Sequence, residues 1–294
     1  MWKAIVRYLT KREGERWAAN DAVRDAGLTD PEDVEIYDNI NYGDGSQANL
    51  LAVHLPRGTD HKLPCIVDVH GGGWFYGSKD LYRHYCSHLA QHGFAVVNFN
   101  YHLMPDYLFP RALEDTNLVM KWVAENHEKY FIDLNNVFMV GDSAGAQIGS
   151  QYLTIWTNEQ YAKMFDFDIP REITVRGFVG NSGVYDILNG KIIRLLSFYF
   201  GKEYRNRSPR LDMFGHITSA FPPSYIMTAV RDHAFEEAKP FAQVLEKAGV
   251  PVIYKVYGEP DNEAAIHVFH ENIRHPLAIE CNNDECRFMK ELVK

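Results

Sequence analysis

Val137-Phe138-Met139-Val140-Gly141-Asp142-Ser143-Ala144-Gly145 reads as a short apolar strand, a turn of small residues and the start of a helix, with no spacer between them. The strand covers 136–140 and the helix 144–156. A strand-to-helix turn this tight forces the residue at its apex into a strained backbone conformation. Small residues at 141 and 145 let neighbouring backbone pass, and the strain would hold the Oγ of Ser143 up at the carboxyl end of a sheet. The beginning of a helix beneath it favours negative charge there. G-x-S-x-G alone is a weak signal; the strand before it and the helix after it give it content.

Outward from this turn the texture is regular. Strands are expected at 64–70, 94–99, 175–179, 224–230 and 252–257. Helices are expected at 81–92, closed by Gly93, at 111–129, at 235–248, closed by Gly249, and from Val268 onward. Strands alternating with helices imply crossover units and a mostly parallel sheet covered on both faces. Residues 34–41 and 49–55 alternate apolar and polar around Gly43-Asp44-Gly45, a hairpin that would form an antiparallel edge. The first ~35 residues read as helical, because Trp2, Ile5, Val6 and Leu9 fit a 3.6 period. Residues 184–222 break the alternation, and an insertion of that length is expected to be a small helical cap or lid. The whole chain, 1–294, is read as one α/β domain with 1–35 and 184–222 as subregions.

A second glycine-rich turn, His70-Gly71-Gly72-Gly73-Trp74, follows another strand. Three glycines let the main chain turn and present its amides without side-chain obstruction. Such amides hold a developing oxyanion and each contribute about 3 kcal/mol when aimed at it. A phosphate loop is the competing reading, but neither G-x-G-x-x-G nor the Walker pattern is present. His70 is expected to brace the loop rather than to move protons.

The two motifs together resemble the α/β-hydrolase superfamily, in its hormone-sensitive-lipase-like branch of carboxylesterases and acetylesterases, over about residues 64–290. Tyr101-His102-Leu103-Met104-Pro105 resembles that branch's Y-R-L-A-P, and Phe109-Pro110 with Glu114-Asp115 its F-P…E-D, with His102 and Met104 as departures. The resemblance implies the α/β-hydrolase fold and oxyanion donors at the amides of Gly72, Gly73 and Ala144. A serine nucleophile needs a base, and the base an orienting acid, in the chain order Ser, Asp or Glu, His. Asp232 follows the strand 224–230 and matches the family's acid, although D-P-L reads Asp232-His233-Ala234 here. Glu236 and Glu237 are the alternatives. His267, in Ile266-His267-Val268-Phe269, matches the family's histidine beyond the last strand; His270 is expected to pack three residues into the last helix.

The expected activity is hydrolysis of small esters with short acyl chains, acetyl above all and an acetylated carbohydrate among the candidates, through Ser143, His267 and Asp232 and an acyl-enzyme. An amidase or formamidase on the same site is the rival enzyme, and a non-catalytic ligand-binding hydrolase fold the rival of another class. Trp74, Phe75 and Tyr76, and Phe198, Tyr199 and Phe200 in the insertion, either line a substrate pocket or simply pack. No cofactor and no metal is expected: His270-Glu271-x-x-x-His275 has one residue too many for H-E-x-x-H.

Composition excludes other classes. With 294 residues, 46% of them hydrophobic, the chain can bury a large core without staples. The longest apolar run, 195–200, is far short of the ~20 residues of a membrane span. A net charge of −9 offers no field for a phosphate backbone, so neither nucleic acid nor membrane is expected as a partner, and a homo-oligomer is left open. Four cysteines make no disulfide framework, and Cys281 and Cys286 are read as thiols of the C-terminal helix and its entry loop. The charged N-terminus does not read as a signal peptide, which points to the cytoplasm.

Overall fold

The runs 65–69, 95–99 and 137–140 are nearly continuous apolar stretches, stable as strands only where both faces are covered. The computed structural model, which describes residues 2–190 and 195–294, covers them. In chain order the elements are α1 (Trp2–Asp25), β1 (Val34–Asn41), β2 (Leu50–Pro56), β3 (Leu63–Val69), α2 (Arg83–Gln91), β4 (Ala95–Phe99), α3 (Arg111–Asn126), β5 (Ile132–Asp142), α4 (Ala144–Thr157) and a short α5 (Glu159–Ala162). They continue with β6 (Val175–Asn181), α6 (Ser197–Arg205), β7 (Ser224–Ala229), α7 (Phe235–Lys247), β8 (Val252–Tyr257) and α8 (Pro276–Glu291). The strands form an eight-stranded sheet of order β1-β2-β4-β3-β5-β6-β7-β8. β1 and β2 are the antiparallel edge; from β4 to β8 every neighbour is parallel.

Side chains of a strand alternate between faces, and the core divides accordingly. Cys65, Val67 and Val69 of β3 and Met139 of β5 pack with Met120 of α3, Ile148 of α4 and Phe241 of α7. Ile66, Phe138 and Val140 face the other layer, with Cys86 and Leu89 of α2 and Cys281 and Met289 of α8. The carboxyl ends of β3, β5 and β7 and the loop beyond β8 share one rim of the sheet, where ligands of such sheets bind.

Three local expectations are corrected. The last helix begins at Pro276, not at Val268: Val268 has φ 51°, and Phe269–Glu271 is a single 3-10 turn holding a fully buried His270. Cys281 and Cys286 therefore both lie within α8, and both are buried free thiols. The helix expected over the first ~35 residues covers only Trp2–Asp25, and of its apolar positions Trp2, Ile5, Val6 and Leu9 only Val6 is buried. Trp2, Ile5 and Leu9 are 45%, 42% and 39% exposed, and among its described residues only Val6 and Thr10 are buried. The helix stops at Asp25 and lies along the rim instead.

The 184–222 segment includes residues 191–194, which lie outside the described residues. The rest is anchored rather than free-standing: Tyr185, Ile187, Tyr199, Phe200, Leu211, Met213 and Phe221 are all buried in the core. No helix among the described residues is long and apolar enough to cross a membrane.

Candidate active site

Ser143 is the single residue between β5 and α4, and its backbone sits at φ 48°, ψ −116°, a region that non-glycine residues seldom occupy and that costs free energy. The surroundings impose it. A Cβ on Gly145 would lie 1.9 Å from the Val69 carbonyl oxygen, and one on Gly141 would lie 2.7 Å from the Gly145 carbonyl oxygen. The two glycines are thus required by close backbone approach. Two hydrogen bonds pin the apex: Ser143 N–H donates to the Asn181 carbonyl at 2.9 Å, and Val184 N–H to the Ser143 carbonyl at 3.3 Å.

The structure brings Asp232 and His267 to this serine. His267 Nε2 lies 2.9 Å from Ser143 Oγ, and His267 Nδ1 lies 2.7 Å from Asp232 Oδ1. The Asp232 side chain is fully buried and held from several sides. Ala234 N–H donates to Oδ1 at 2.7 Å and Thr228 Oγ1–H to Oδ2 at 3.1 Å. Burial works to raise its pKa, but the hydrogen bond and charge of His267, with bonds from Ser182 and the Ala234 amide, outweigh it and leave the carboxyl below its ordinary range. An ionised acid on Nδ1 leaves Nε2 facing the hydroxyl as proton acceptor, the arrangement that activates a serine. Glu236 and Glu237 line the same cleft but are not the partners of this imidazole.

The His70–Trp74 loop crosses in front. Gly72 has φ 106°, and a Cβ there would meet the Tyr76 carbonyl oxygen at 2.0 Å, so only glycine fits. The Gly71 amide donates to Tyr82 Oη at 2.9 Å, and Tyr82 Oη–H donates to Asp142 Oδ2 at 2.8 Å, which ties the loop to the residue before the serine. Among the described residues the Gly72 and Gly73 amides donate to no other backbone group, and the Ala144 amide, at the first turn of α4, has no intrahelical acceptor. All three residues line the cleft beside Ser143. His70 braces the loop as expected: Nδ1–H donates to the Gly71 carbonyl at 2.7 Å, the ring stacks on Tyr101 at 4.1 Å, and burial pushes its pKa down to about 4, so it is neutral.

The cleft measures about 1310 Å³. Phe75 and Tyr76 line it. Trp74 reaches it too, but is otherwise buried, donating from Nε1 to Gln147 Oε1 at 3.0 Å. Phe198 and Tyr199 are not among its lining residues. Tyr199 is buried behind Trp74, stacked on it at 5.4 Å, and the insertion contributes Leu195 and Leu196 in their place.

Sequence reasoning missed α1 as the opposite wall. Trp17 packs on Phe75 at 4.8 Å, Asp21 accepts a 2.7 Å bond from Tyr76 Oη, and Arg24 pairs with the buried Glu271. No local pattern could have revealed this, because these residues look like the solvated face of any helix. His233, whose ring lies 4.0 Å from that of His267, was marked only by its departure from D-P-L. Among the described residues two groups of three side chains could each hold a metal ion: Asp232, His233 and His267 at the rim, and the buried Asp142, His270 and Glu271, whose glutamate already pairs with Arg24.

A sheet with this strand order, a strained serine between β5 and α4, and a histidine and an aspartate on the loops after β8 and β7 define a hydrolase class, and the comparisons agree. A family model described as the alpha/beta hydrolase fold matches residues 66–271, about 70% of the chain. The chain belongs to the α/β-hydrolase family. It is 24% identical over 206 residues to an α/β hydrolase of Acanthamoeba polyphaga mimivirus, a match spanning 67% of this chain and 59% of the viral protein. To the acetyl esterase of Salmonella schwarzengrund it is 23% identical over 256 residues, spanning 82% of this chain and 76% of that enzyme. Among solved structures, esterase B of Lactobacillus rhamnosis inhibited by a C4-C4 tributyrin phosphonate superposes with a TM-score of 0.91 at 22% identity, covering 99% of this chain and 96% of that one.

Proposed function

We propose that this chain is a serine hydrolase of carboxylic esters with short acyl chains, acting through Ser143, His267 and Asp232. The observation that carries the reading is the continuous hydrogen-bonded line Ser143 Oγ–His267–Asp232, with links of 2.9 and 2.7 Å, opening on a cleft.

His267 Nε2 takes the Ser143 proton as Oγ attacks the ester carbonyl. The amides of Gly72, Gly73 and Ala144 hold the oxyanion, while Asp232 keeps the ring's other proton on Nδ1 and stabilises the imidazolium. The imidazolium returns its proton to the departing alcohol, leaving an acyl-serine. Water, deprotonated by the same nitrogen, then releases the acid. No step calls for a metal or an organic cofactor.

Acetyl is the favoured acyl group. Phe75 and Tyr76, which follow the oxyanion loop, line the cleft with bulky rings, and the acetyl esterase relative and the C4-inhibited esterase B are in keeping with a short chain. The rest of the wall carries Arg12, Arg16, Asn20, Glu236 and Asn272, polar groups suited to a hydroxyl-rich alcohol such as an acetylated carbohydrate. Ser143→Ala tests the reading: it should abolish hydrolysis of a chromogenic acetate ester and labelling by a fluorophosphonate. Residual hydrolysis above about 1% of wild type would overturn the choice of serine, since losing a triad member costs about 10^6-fold in a protease of this mechanism.

A further inference from the structure

His233 stands directly after Asp232. It is exposed and lines the cleft, with its ring tilted 44° to that of His267 at 4.0 Å. One ligand atom from each of Asp232, His233 and His267 lies within 4.8 Å of the other two. We propose that these three side chains form a binding site for a divalent transition ion of the Zn2+ type, and that an ion seated there switches the enzyme off.

Two imidazoles and a carboxylate are a zinc donor set, and three protein ligands with an open fourth position are a familiar zinc arrangement. Tetrahedral bonds of 2.0–2.2 Å place donor atoms roughly 3.4 Å apart. The 2.7 Å between His267 Nδ1 and Asp232 Oδ1 must widen to that as the ion enters, and the exposed His233 side chain turns in to supply the third donor. The cleft supplies the entry path and a place for water as the fourth ligand. Glu236 and Glu237, on the same wall, make the approach favourable to a cation. The cysteines do not compete, because all four are buried.

The consequence follows from the tautomer. The proton on His267 Nδ1 now bridges to Asp232 at 2.7 Å. An ion between them takes the Nδ1 lone pair, and a neutral imidazole then carries its one proton on Nε2. The ring keeps the same number of protons, but Nε2–H faces Ser143 Oγ and cannot accept the serine's proton. One ion thus removes the base and occupies the acid that orients it.

The test is hydrolysis of a chromogenic acetate ester against ZnCl2 for wild type, His233→Phe and His233→Gln, each relative to its own rate without metal. Mg2+ serves as the hard-ion control, and a chelator tests reversal. Calorimetric Zn2+ titration of Ser143→Ala, with and without His233→Phe, measures the site apart from activity. The activity arm rests on the serine-hydrolase reading; the titration arm does not. Zn2+ should inhibit reversibly and Mg2+ should not. Both His233 variants should need at least about tenfold more Zn2+, and the titration should lose one site with His233. Absence of Zn2+ inhibition, an unchanged midpoint in the His233 variants, or titrations indifferent to His233→Phe would each overturn the proposal. Full activity in Ser143→Ala would instead overturn the nucleophile, leaving the titration to decide the metal site.

Discussion

A methyl group at Gly145 would have nowhere to go. Its Cβ would stand 1.9 Å from the Val69 carbonyl oxygen, 2.6 Å from the His70 carbonyl oxygen and 2.8 Å from the His70 carbonyl carbon. All three are backbone atoms, of the last residue of β3 and the first of the oxyanion loop, so no side chain can swing away. Real Cβ atoms do not come closer than 3.0 Å, so α4 and the loop must separate by about 1.1 Å. That movement pulls Ser143 away from the Gly72 and Gly73 amides, and a 1 Å misplacement of reacting groups costs on the order of 10^2-fold in rate. Overpacking adds about 1–3 kcal/mol of lost stability. Gly145→Ala should therefore lower kcat/KM on a chromogenic acetate ester about a hundredfold, with a lower urea midpoint. Gly149→Ala, four residues along α4, is the control. Its Cβ would meet the side chains of Met139 and Phe178 at 3.3 Å, which can give, so it should stay within a few-fold of wild type. A Gly145→Ala enzyme retaining more than about half its activity, or equal losses in both variants, would refute the steric account.

Two further outcomes follow from the buried carboxyls. In Asp232→Asn, the Ala234 amide selects a carbonyl oxygen at the Oδ1 position, and the new NH2 falls against the Thr228 hydroxyl, which can turn to accept it. The variant should keep the His267 tautomer and lose only the charge, so its kcat should fall by less than the ~10^4-fold seen in a protease where the amide presents the wrong tautomer; a loss of 10^4-fold or more would contradict this. Asp68 is buried between the helix layers, and burial, against a bond from Cys86 and with added repulsion from Glu271 and Glu285, raises its pKa from 3.8 to about 8. A raised folded-state pKa means a contribution that is full below about pH 4 and is lost as pH rises towards 8, on the order of 4 kcal/mol between pH 4 and 7. Urea unfolding of Asp68→Asn across that range should show a flatter pH dependence than wild type, and an unchanged slope would refute the assignment.

Much of this architecture was legible in the chain because it depends on neighbours in sequence. A serine between an apolar strand and a helix, with glycines two residues to either side, has few conformations open to it, and G-D-S-A-G states that constraint locally. The alternation of strands and helices likewise implied the covered parallel sheet, and its edge appeared in the pattern of 34–55. The resemblance pointed to Asp232 and His267, and both reach Ser143 because loops after successive parallel strands end on the same rim.

What the tertiary structure alone decided are contacts between elements far apart in the chain. The α1 stripe of Trp2, Ile5, Val6 and Leu9 has the period of a buried face, yet of the four only Val6 is buried, because the sheet already has a helix layer on each side and α1 has only the rim left to cover. From there Trp17 meets Phe75 and Arg24 meets Glu271 across 247 residues. Phe198 and Tyr199 look like pocket residues by composition, but Trp74 donates to Gln147 and turns its ring onto Tyr199, sealing it from the cleft. Periodicity records how one element is shaped to be buried. Which surface buries it depends on how every other element has already packed.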